Sequence, residues 1–270
     1  MARRRLLEII YNSGCGHTGG DLSCLNVLMV LFHSYLNISK DNLDDPDRDR
    51  FLLSKGHCSE ALYAVLESKG IISKDLVDTL GHFLSPLAGH PIDTIPGIEV
   101  NSGALGHGLS IGVGMALAAK MDSRKYKTVV LMGDGELAEG SVYEAAISAS
   151  HYSLDNLIAI VDRNMLQISG ATEDIMPVEP LKDRWNSYGW NVLEMDGNKI
   201  ESIAVSLSNI DLTTGKPTMV ISHSIKGYGV SFMEGVANWH HGVPTEEQYK
   251  KAVSEIEARI NSIRIDNERL

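Results

Sequence analysis

Apolar residues in this chain gather into short, separated runs. Thr128-Val129-Val130-Leu131-Met132 is almost wholly apolar, and so is the centre of Asn156 to Asp162; shorter runs follow at Asn191 to Asp196 and Thr218 to Ser224. Continuous rather than alternating apolar character predicts strands covered on both faces, as in a parallel sheet. Between them the spacing changes to a helical one. Ser110 to Met121 is rich in Gly and Ala at helical intervals, which predicts a helix packed closely on a sheet or a neighbouring helix. From Thr245 onward, Tyr249, Val253, Ile256, Ile260 and Ile263 recur every three or four positions, and Thr245 with Gln248 is spaced as a capping box. An amphipathic helix is expected to close the chain. Strands alternating with helices, without a Pro/Ser-rich linker or an internal repeat, predict one α/β domain over residues 1–270: a doubly wound, mostly parallel sheet with helices on both faces.

Composition narrows the function. A hydrophobic fraction of 43% is ample for a core, and the formal charge of −11 argues against nucleic acid as the main partner. It leaves phosphorylated substrates open, because a metal ion and local donors can hold phosphate inside an acidic protein. No apolar run approaches the ~18 residues of a membrane span. Arg3-Arg4-Arg5 precedes only a short apolar patch broken by Glu8 and Tyr11, which does not read as a signal peptide. Three cysteines, Cys15, Cys24 and Cys58, form an odd set without metal-ligand spacing and fit a reducing cytoplasm. Cys58, although beside His57, reads as a bystander thiol.

The chemistry begins where the first long apolar run ends. Gly133-Asp134-Gly135-Glu136-Leu137-Ala138-Glu139-Gly140 follows it directly, and Asp162-Arg163-Asn164 follows the second run. In open α/β sheets ligands settle at the carboxyl ends of strands, where a glycine-permissive turn and the next helix present N–H groups to phosphate. Asp134 adds a hard carboxylate there and Asn164 an amide oxygen, a pairing suited to a divalent cation holding a diphosphate. A lone GDG would read as a tight turn with a solvated Asp; the flanking strand, helix and Asn supply the context that favours the metal–diphosphate reading. The spacing resembles the thiamine diphosphate signature, a GDG turn followed by roughly 25 to 30 residues and an Asn. That resemblance implies thiamine diphosphate with Mg²⁺, for which Ca²⁺ or Mn²⁺ can substitute, and a metal held by Asp134, Asn164 and the backbone carbonyl of Leu166.

Histidines in turn-like contexts form a second layer: Gly16-His17-Thr18-Gly19-Gly20, Ser54-Lys55-Gly56-His57, Gly89-His90-Pro91 and His240-His241-Gly242-Val243-Pro244. Any one of them alone reads as a structural histidine. With the glycine turn Ala104-Leu105-Gly106-His107-Gly108 and the GDG motif in the same order, the chain resembles transketolase over nearly its whole length. The resemblance implies that His17, His57, His90 and His241 line the channel to the reacting carbon and bond the sugar, His241 being chosen over His240 for its place before Gly-Val-Pro. It further implies that His57, Leu105, Gly106, Gly108, Gly133, Asp134, Gly135, Glu139 and Asn164 contact or shape the cofactor site, with Glu139 near a dimer contact. Imidazole suits such work because it both donates and accepts. Two departures stand out: His107 replaces the usual Gln of the LGQG turn, and Thr18 stands where Pro is usual.

The activity implied is transfer of a two-carbon ketol unit from a ketose phosphate to an aldose phosphate. In transketolases a glutamate that activates the cofactor belongs to a pyrimidine-binding domain, for which this sequence has no second α/β unit. The resemblance is therefore to the N-terminal subunit of a split transketolase, with a C-terminal partner subunit supplying that domain and its Glu, in a two-plus-two assembly. Two other readings are a subunit of a two-component 2-oxo acid decarboxylase or dehydrogenase, in which the GHxG, SKGH and HHGVP histidines have no evident role, and a non-catalytic cofactor-fold scaffold. The glycines from Gly103 to Gly114 do not form G-x-G-x-x-G after a clear strand, which disfavours a Rossmann dehydrogenase.

Overall fold

The computed structural model describes residues 1–267, with side chains described through residue 262. Five parallel strands form the central sheet: β1 (Arg50–Leu53), β2 (Thr128–Gly133), β3 (Leu157–Arg163), β6 (Asn191–Asp196) and β7 (Thr218–His223), in the order β1-β2-β3-β7-β6. A small antiparallel hairpin, β4 (Leu166–Gln167) with β5 (Gly170–Ala171), follows β3. The helices before and within the first crossover are α1 (Ala2–Ser13), α2 (Thr18–Val30), α3 (Ser59–Ser68), α4 (Lys74–Val77) and α5 (Gly108–Met121). Those that follow are α6 (Gly140–His151), α7 (Thr172–Ile175), α8 (Leu181–Ser187), α9 (Ile200–Ser208) and α10 (Glu246–Asn267).

Both faces of the sheet are covered, which is why its strands read as continuous apolar runs. Val129, Leu131, Ile158, Ile160 and Val220 point into one core with α1, α2, α3 and α9. Val130, Met132, Ala159, Val161 and Ile221 alternate with them into a second core beneath α5, α6 and α8. The Gly/Ala-rich helix is α5, and it packs as closely as its composition suggests. A β-carbon at Gly112 would stand 2.5 Å from Val130 Cγ2 of the sheet.

The closing helix is also found where its periodicity places it. Thr245 N–H donates to Gln248 Oε1 at 2.9 Å and Gln248 N–H to Thr245 Oγ1 at 3.3 Å, so the capping box is formed at both bonds. Tyr249 of α10 stacks on Tyr11 of α1 with ring centroids 4.4 Å apart. Ile263, the last position of the expected stripe, lies outside the residues whose side chains are described. Several elements exceed the sequence reading, among them α2, α3 and the β4–β5 hairpin. β1 is a fifth strand of only four residues that begins on Arg50, and the N-terminal patch broken by Glu8 is helix α1, whose Leu6, Leu7, Ile9 and Ile10 are buried on one side.

Candidate functional site

The carboxyl ends of β2, β3 and β7 lie side by side, with Gly133 paired to Asp162 and Asp162 to Ser222. Above them opens a cavity of about 330 Å³. Its floor is the GDG turn: Gly133 ends β2, and Asp134, 2% exposed, accepts from Gly135 N–H at 2.8 Å and from Met165 N–H at 2.7 Å. Arg163 Nη1 donates to the same carboxylate at 3.1 Å and is itself paired with Glu173 and Glu179. Burial and the nearby Asp162 raise the Asp134 pKa, and Arg163 with the Met165 N–H opposes them.

Asn164 is oriented by its neighbours. Its amide Nδ2 donates to Asp162 Oδ2 at 3.0 Å and to Ser23 Oγ at 3.3 Å, which fixes Oδ1 on the opposite side, where it accepts the Leu166 N–H at 3.1 Å. Asp134, Asn164 and Leu166 all line the cavity. Together they offer a carboxylate, an amide oxygen and a main-chain carbonyl, a hard-oxygen set of the kind Mg²⁺ or Ca²⁺ takes, with the remaining positions left to phosphate oxygens and water. Among the described residues no three His, Cys, Asp or Glu side chains form a metal cluster by themselves.

Two buried lysines balance the carboxylates. Lys55, from the Ser-Lys-Gly-His segment after β1, pairs with Asp162, whose carboxylate also accepts from Ser23 and Ser224. Burial opposes both charges, yet their pairing pushes the Lys55 pKa well up and that of Asp162 down. Lys226, from the loop after β7, donates to the Leu166 carbonyl at 2.9 Å and lies 2.7 Å from His240 Nδ1. Burial, reinforced by the charge of Lys55, lowers its pKa to about 8. Lys226 therefore places an ammonium beside the oxygen set, where a diphosphate would need one.

Glu136, the fourth residue of the Gly-Asp-Gly-Glu turn, ties three segments together. It accepts from Ser54 Oγ, from Gly106 N–H at 2.9 Å and from Gly133 N–H at 3.0 Å. Burial raises its pKa against these three donors. The glycine turn is set by packing: Gly106 has φ +85° and a β-carbon there would stand 2.6 Å from Glu139 Cβ, while one at Gly108 would strike Ser54. Leu105 and Gly135 line the cavity, whereas Gly106 and Gly108 support it from behind. Glu139 is exposed at the N-cap of α6, outside the cavity lining.

The histidines converge around His17. Its ring centroid lies 4.7 Å from His241, 5.2 Å from His57, 5.7 Å from His240 and 6.1 Å from His90. His57 and His240 line the cavity and stack at 5.3 Å, while His90 packs by Gly103 and His241 is exposed. A main-chain bridge from His17 to Gly242 and a 2.5 Å bond from Thr18 Oγ1 to the Gly242 carbonyl hold the late turn against the early one. Thr18 thus supplies a bond that Pro could not. Burial, then the crowding of like groups, lowers the His17 pKa to about 4, and burial with Lys226 lowers that of His240 to about 3. His57 is lowered well below the ordinary imidazole range by burial. Near neutral pH these rings are uncharged. His17 Nδ1 and Gln167 Oε1 are buried without a partner among the described residues, and Gln167 lines the cavity.

Sequence reasoning did not single out Lys55, Glu136, His240, Gln167 or Lys226. Lys226 carried one usable signal, its place in a glycine-containing loop directly after a buried strand.

Residues 2–258 match the family described as transketolase, thiamine diphosphate binding domain. An apulose-4-phosphate transketolase subunit of Phocaeicola vulgatus is 58% identical, over 98% of this chain and 94% of that protein. A 6-deoxy-6-sulfo-D-fructose transketolase subunit of a Clostridium species is 42% identical, over 95% of this chain and 94% of that protein. Among solved structures, transketolase from Campylobacter jejuni superposes with a TM-score of 0.89 at 31% identity, over 95% of this chain and 42% of that one. The chain thus spans less than half of the solved transketolase and nearly all of the named subunits. By sequence and by fold, this chain belongs to the transketolase family, within its thiamine diphosphate-binding domain.

Proposed function

We propose that this chain is the cofactor-binding subunit of a two-subunit transketolase that moves a two-carbon ketol unit from a ketose phosphate to an aldose phosphate. The observation that carries the reading is the cavity itself, where the Asp134, Asn164 and Leu166 oxygens, the Lys226 ammonium and two stacked histidines line one space. The unpartnered Gln167 Oε1, on a residue that lines the cavity, supports a bound polar group. Thiamine diphosphate, when bound, supplies the nucleophilic carbon that a protein side chain cannot.

The chain's own residues bind and orient. Asp134, Asn164 and the Leu166 carbonyl would hold Mg²⁺, with Lys226 and the Gly135 turn beside the diphosphate. Because an ammonium only donates, His240 Nδ1 is the acceptor and its hydrogen sits on Nε2, leaving that N–H to donate into the cavity. His17, His57, His90 and His241, uncharged or exposed at the channel, serve the sugar oxygens as donors and acceptors. A partner subunit carrying the pyrimidine-binding domain and its glutamate completes the site, in a two-plus-two assembly located in the cytoplasm. Glu139, exposed beside the Gly106 turn, is placed to meet that assembly rather than the cofactor. The relatives named for apulose-4-phosphate and sulfofructose support a specialised donor, and the higher identity to the first favours a branched ketose phosphate.

The test is a coupled ketol-transfer assay with thiamine diphosphate, Mg²⁺ and an aldose phosphate, offering apulose 4-phosphate, xylulose 5-phosphate or a sulfonated ketose as donor. Activity only when the partner subunit is mixed in, highest with the branched donor, is expected. Full activity of the isolated chain would overturn the two-subunit reading, and preference for xylulose 5-phosphate would overturn the donor.

A further inference from the structure

A second cavity, about 220 Å³, lies between α1, α10 and the loop after β7, and Arg3, Asn26, Asn198, Tyr228, Ile256 and Arg259 are among the residues that line it. Its arginines differ from most of the others in this protein. Arg5 pairs with Glu67 and Asp78, Arg48 with Glu99, and Arg163 with three carboxylates. Among the described residues neither Arg3 nor Arg259 pairs with an acid. Instead each guanidinium rests against the Tyr228 ring, 5.0 Å and 5.1 Å from its centroid.

Donors therefore accumulate without acceptors. Arg3 makes one described hydrogen bond, from Nη2 to Asn26 Oδ1 at 3.1 Å, and its Nε is buried with no partner. Arg259 Nη2 donates to the Tyr228 hydroxyl oxygen at 2.7 Å, which leaves the hydroxyl hydrogen free to point away. The nearest acid, Glu234, is engaged by the Gly229 N–H at 2.8 Å. Gly229 has φ +96°, and a β-carbon there would press on Arg3 Cδ and Nε, so the backbone seals one side of the guanidinium. Burial pushes the Arg3 pKa down to about 10, with Arg259 adding to the effect; at neutral pH the group still keeps its charge and its need of a counter-ion.

We propose that this cavity is an oxyanion site, with Arg3, Arg259 and the Tyr228 hydroxyl taking a phosphate group, either inorganic phosphate or the phosphate end of a sugar phosphate. Two arginine forks and a hydroxyl suit three oxygens of one tetrahedral anion. Tyr228 lies two residues beyond Lys226, so an occupied site braces the loop that brings Lys226 to the cofactor cavity.

The experiment is thermal unfolding of the whole chain, titrated with sodium phosphate or with ribose 5-phosphate at constant ionic strength, sodium chloride serving as the reference. The wild type and Lys226→Gln, which removes the ammonium of the cofactor cavity, should both show a saturable rise in Tm. Arg259→Gln, on an exposed helix face, should weaken the apparent affinity by about tenfold or more. Arg259→Lys should recover part of it, and Arg3→Gln should behave like Arg259→Gln. A larger response to ribose 5-phosphate would assign the site to sugar phosphates, an equal or smaller one to free phosphate. The proposal is overturned if Arg259→Gln responds as the wild type does, or if Lys226→Gln alone abolishes the response. Neither result depends on transketolase activity, so it fails or stands separately from the proposed function.

Discussion

Lys226 Nζ lies 2.7 Å from His240 Nδ1 and 2.9 Å from the Leu166 carbonyl, so one ammonium joins a cavity histidine to an oxygen of the expected metal set. Lys226→Met removes the donor that fixes the His240 tautomer and the charge beside the diphosphate. We expect thiamine diphosphate affinity, read by titration calorimetry with Mg²⁺, to fall by about tenfold or more, in line with loss of a charge-assisted bond. Unchanged affinity would remove Lys226 from the binding set.

Asp134→Asn keeps the shape of the turn and loses the charge. In either orientation the amide presents an N–H to a donor, to the Gly135 N–H at the Oδ1 position or to the Met165 N–H and Arg163 at the Oδ2 position, which costs about 1–3 kcal/mol of stability. Cofactor affinity should become much less dependent on Mg²⁺, whereas His57→Ala should retain cofactor binding and lower turnover in the complete enzyme. Equal loss of affinity in both variants would contradict the assigned roles.

The buried imidazoles make stability depend on acid. His17 and His240 have folded pKa values of about 4 and about 3, below the 6.5 of an unfolded histidine, so the unfolded chain binds more protons between those limits. The stability that these two rings contribute should therefore be full above pH ~6.5 and be lost progressively as pH drops toward 3. Urea unfolding at pH 7.5 and pH 5.0 measures this, and His17→Gln should flatten the dependence. Buried Asp21 and Glu60, whose pKa values are raised, oppose this trend, so the readout is the difference between wild type and His17→Gln; the same pH dependence in both would show that the ring is not held neutral.

Two glycines should answer differently to the same change. Gly106→Ala forces a side chain onto φ +85° and against Glu139 Cβ, and should cost about 1–3 kcal/mol. Gly114→Ala, in α5 with nothing within 4 Å of the added carbon, should be neutral or stabilise by up to about 1 kcal/mol. Denaturant midpoints of the two variants decide it.

The Lys55–Asp162 pair is buried on both sides. Lys55→Met alone leaves a carboxylate without its counter-ion and should destabilise by about 3–5 kcal/mol. The double variant Lys55→Met, Asp162→Leu should recover much of that loss, and a merely additive result would deny the coupling.

β2, β3 and β7 were legible in the sequence because burial on two sides turns the period-two signal into a continuous run, and β6 was legible although only Met195 of it is fully buried. β1 escaped since four residues beginning on Arg50 carry too little of that signal. α1 was obscured for a related reason: Glu8 and Tyr11 interrupt its apolar stretch while Leu6, Leu7, Ile9 and Ile10 still share one buried side. In the site, motifs on single strand ends were readable because glycine, carboxylate and amide stand at fixed offsets. Lys226 and His240 were not, since a lysine's burial is decided by segments far away in sequence. The choice between His240 and His241 turned on which ring faces the cavity, a matter of one residue's rotation in a turn that no spacing specifies.

The bridge between His17 and Gly242 also fixes an order of events during synthesis. The histidine end of the pocket joins a residue at the start of the second helix to one just before the last helix, so nearly the whole chain must leave the ribosome before that contact exists. Until then the His17 turn, however early it is made, has no late turn to rest against. Competence to bind is thus deferred to the final stage of folding, and a chain halted before Gly242 could hold much of its sheet and still lack a closed site.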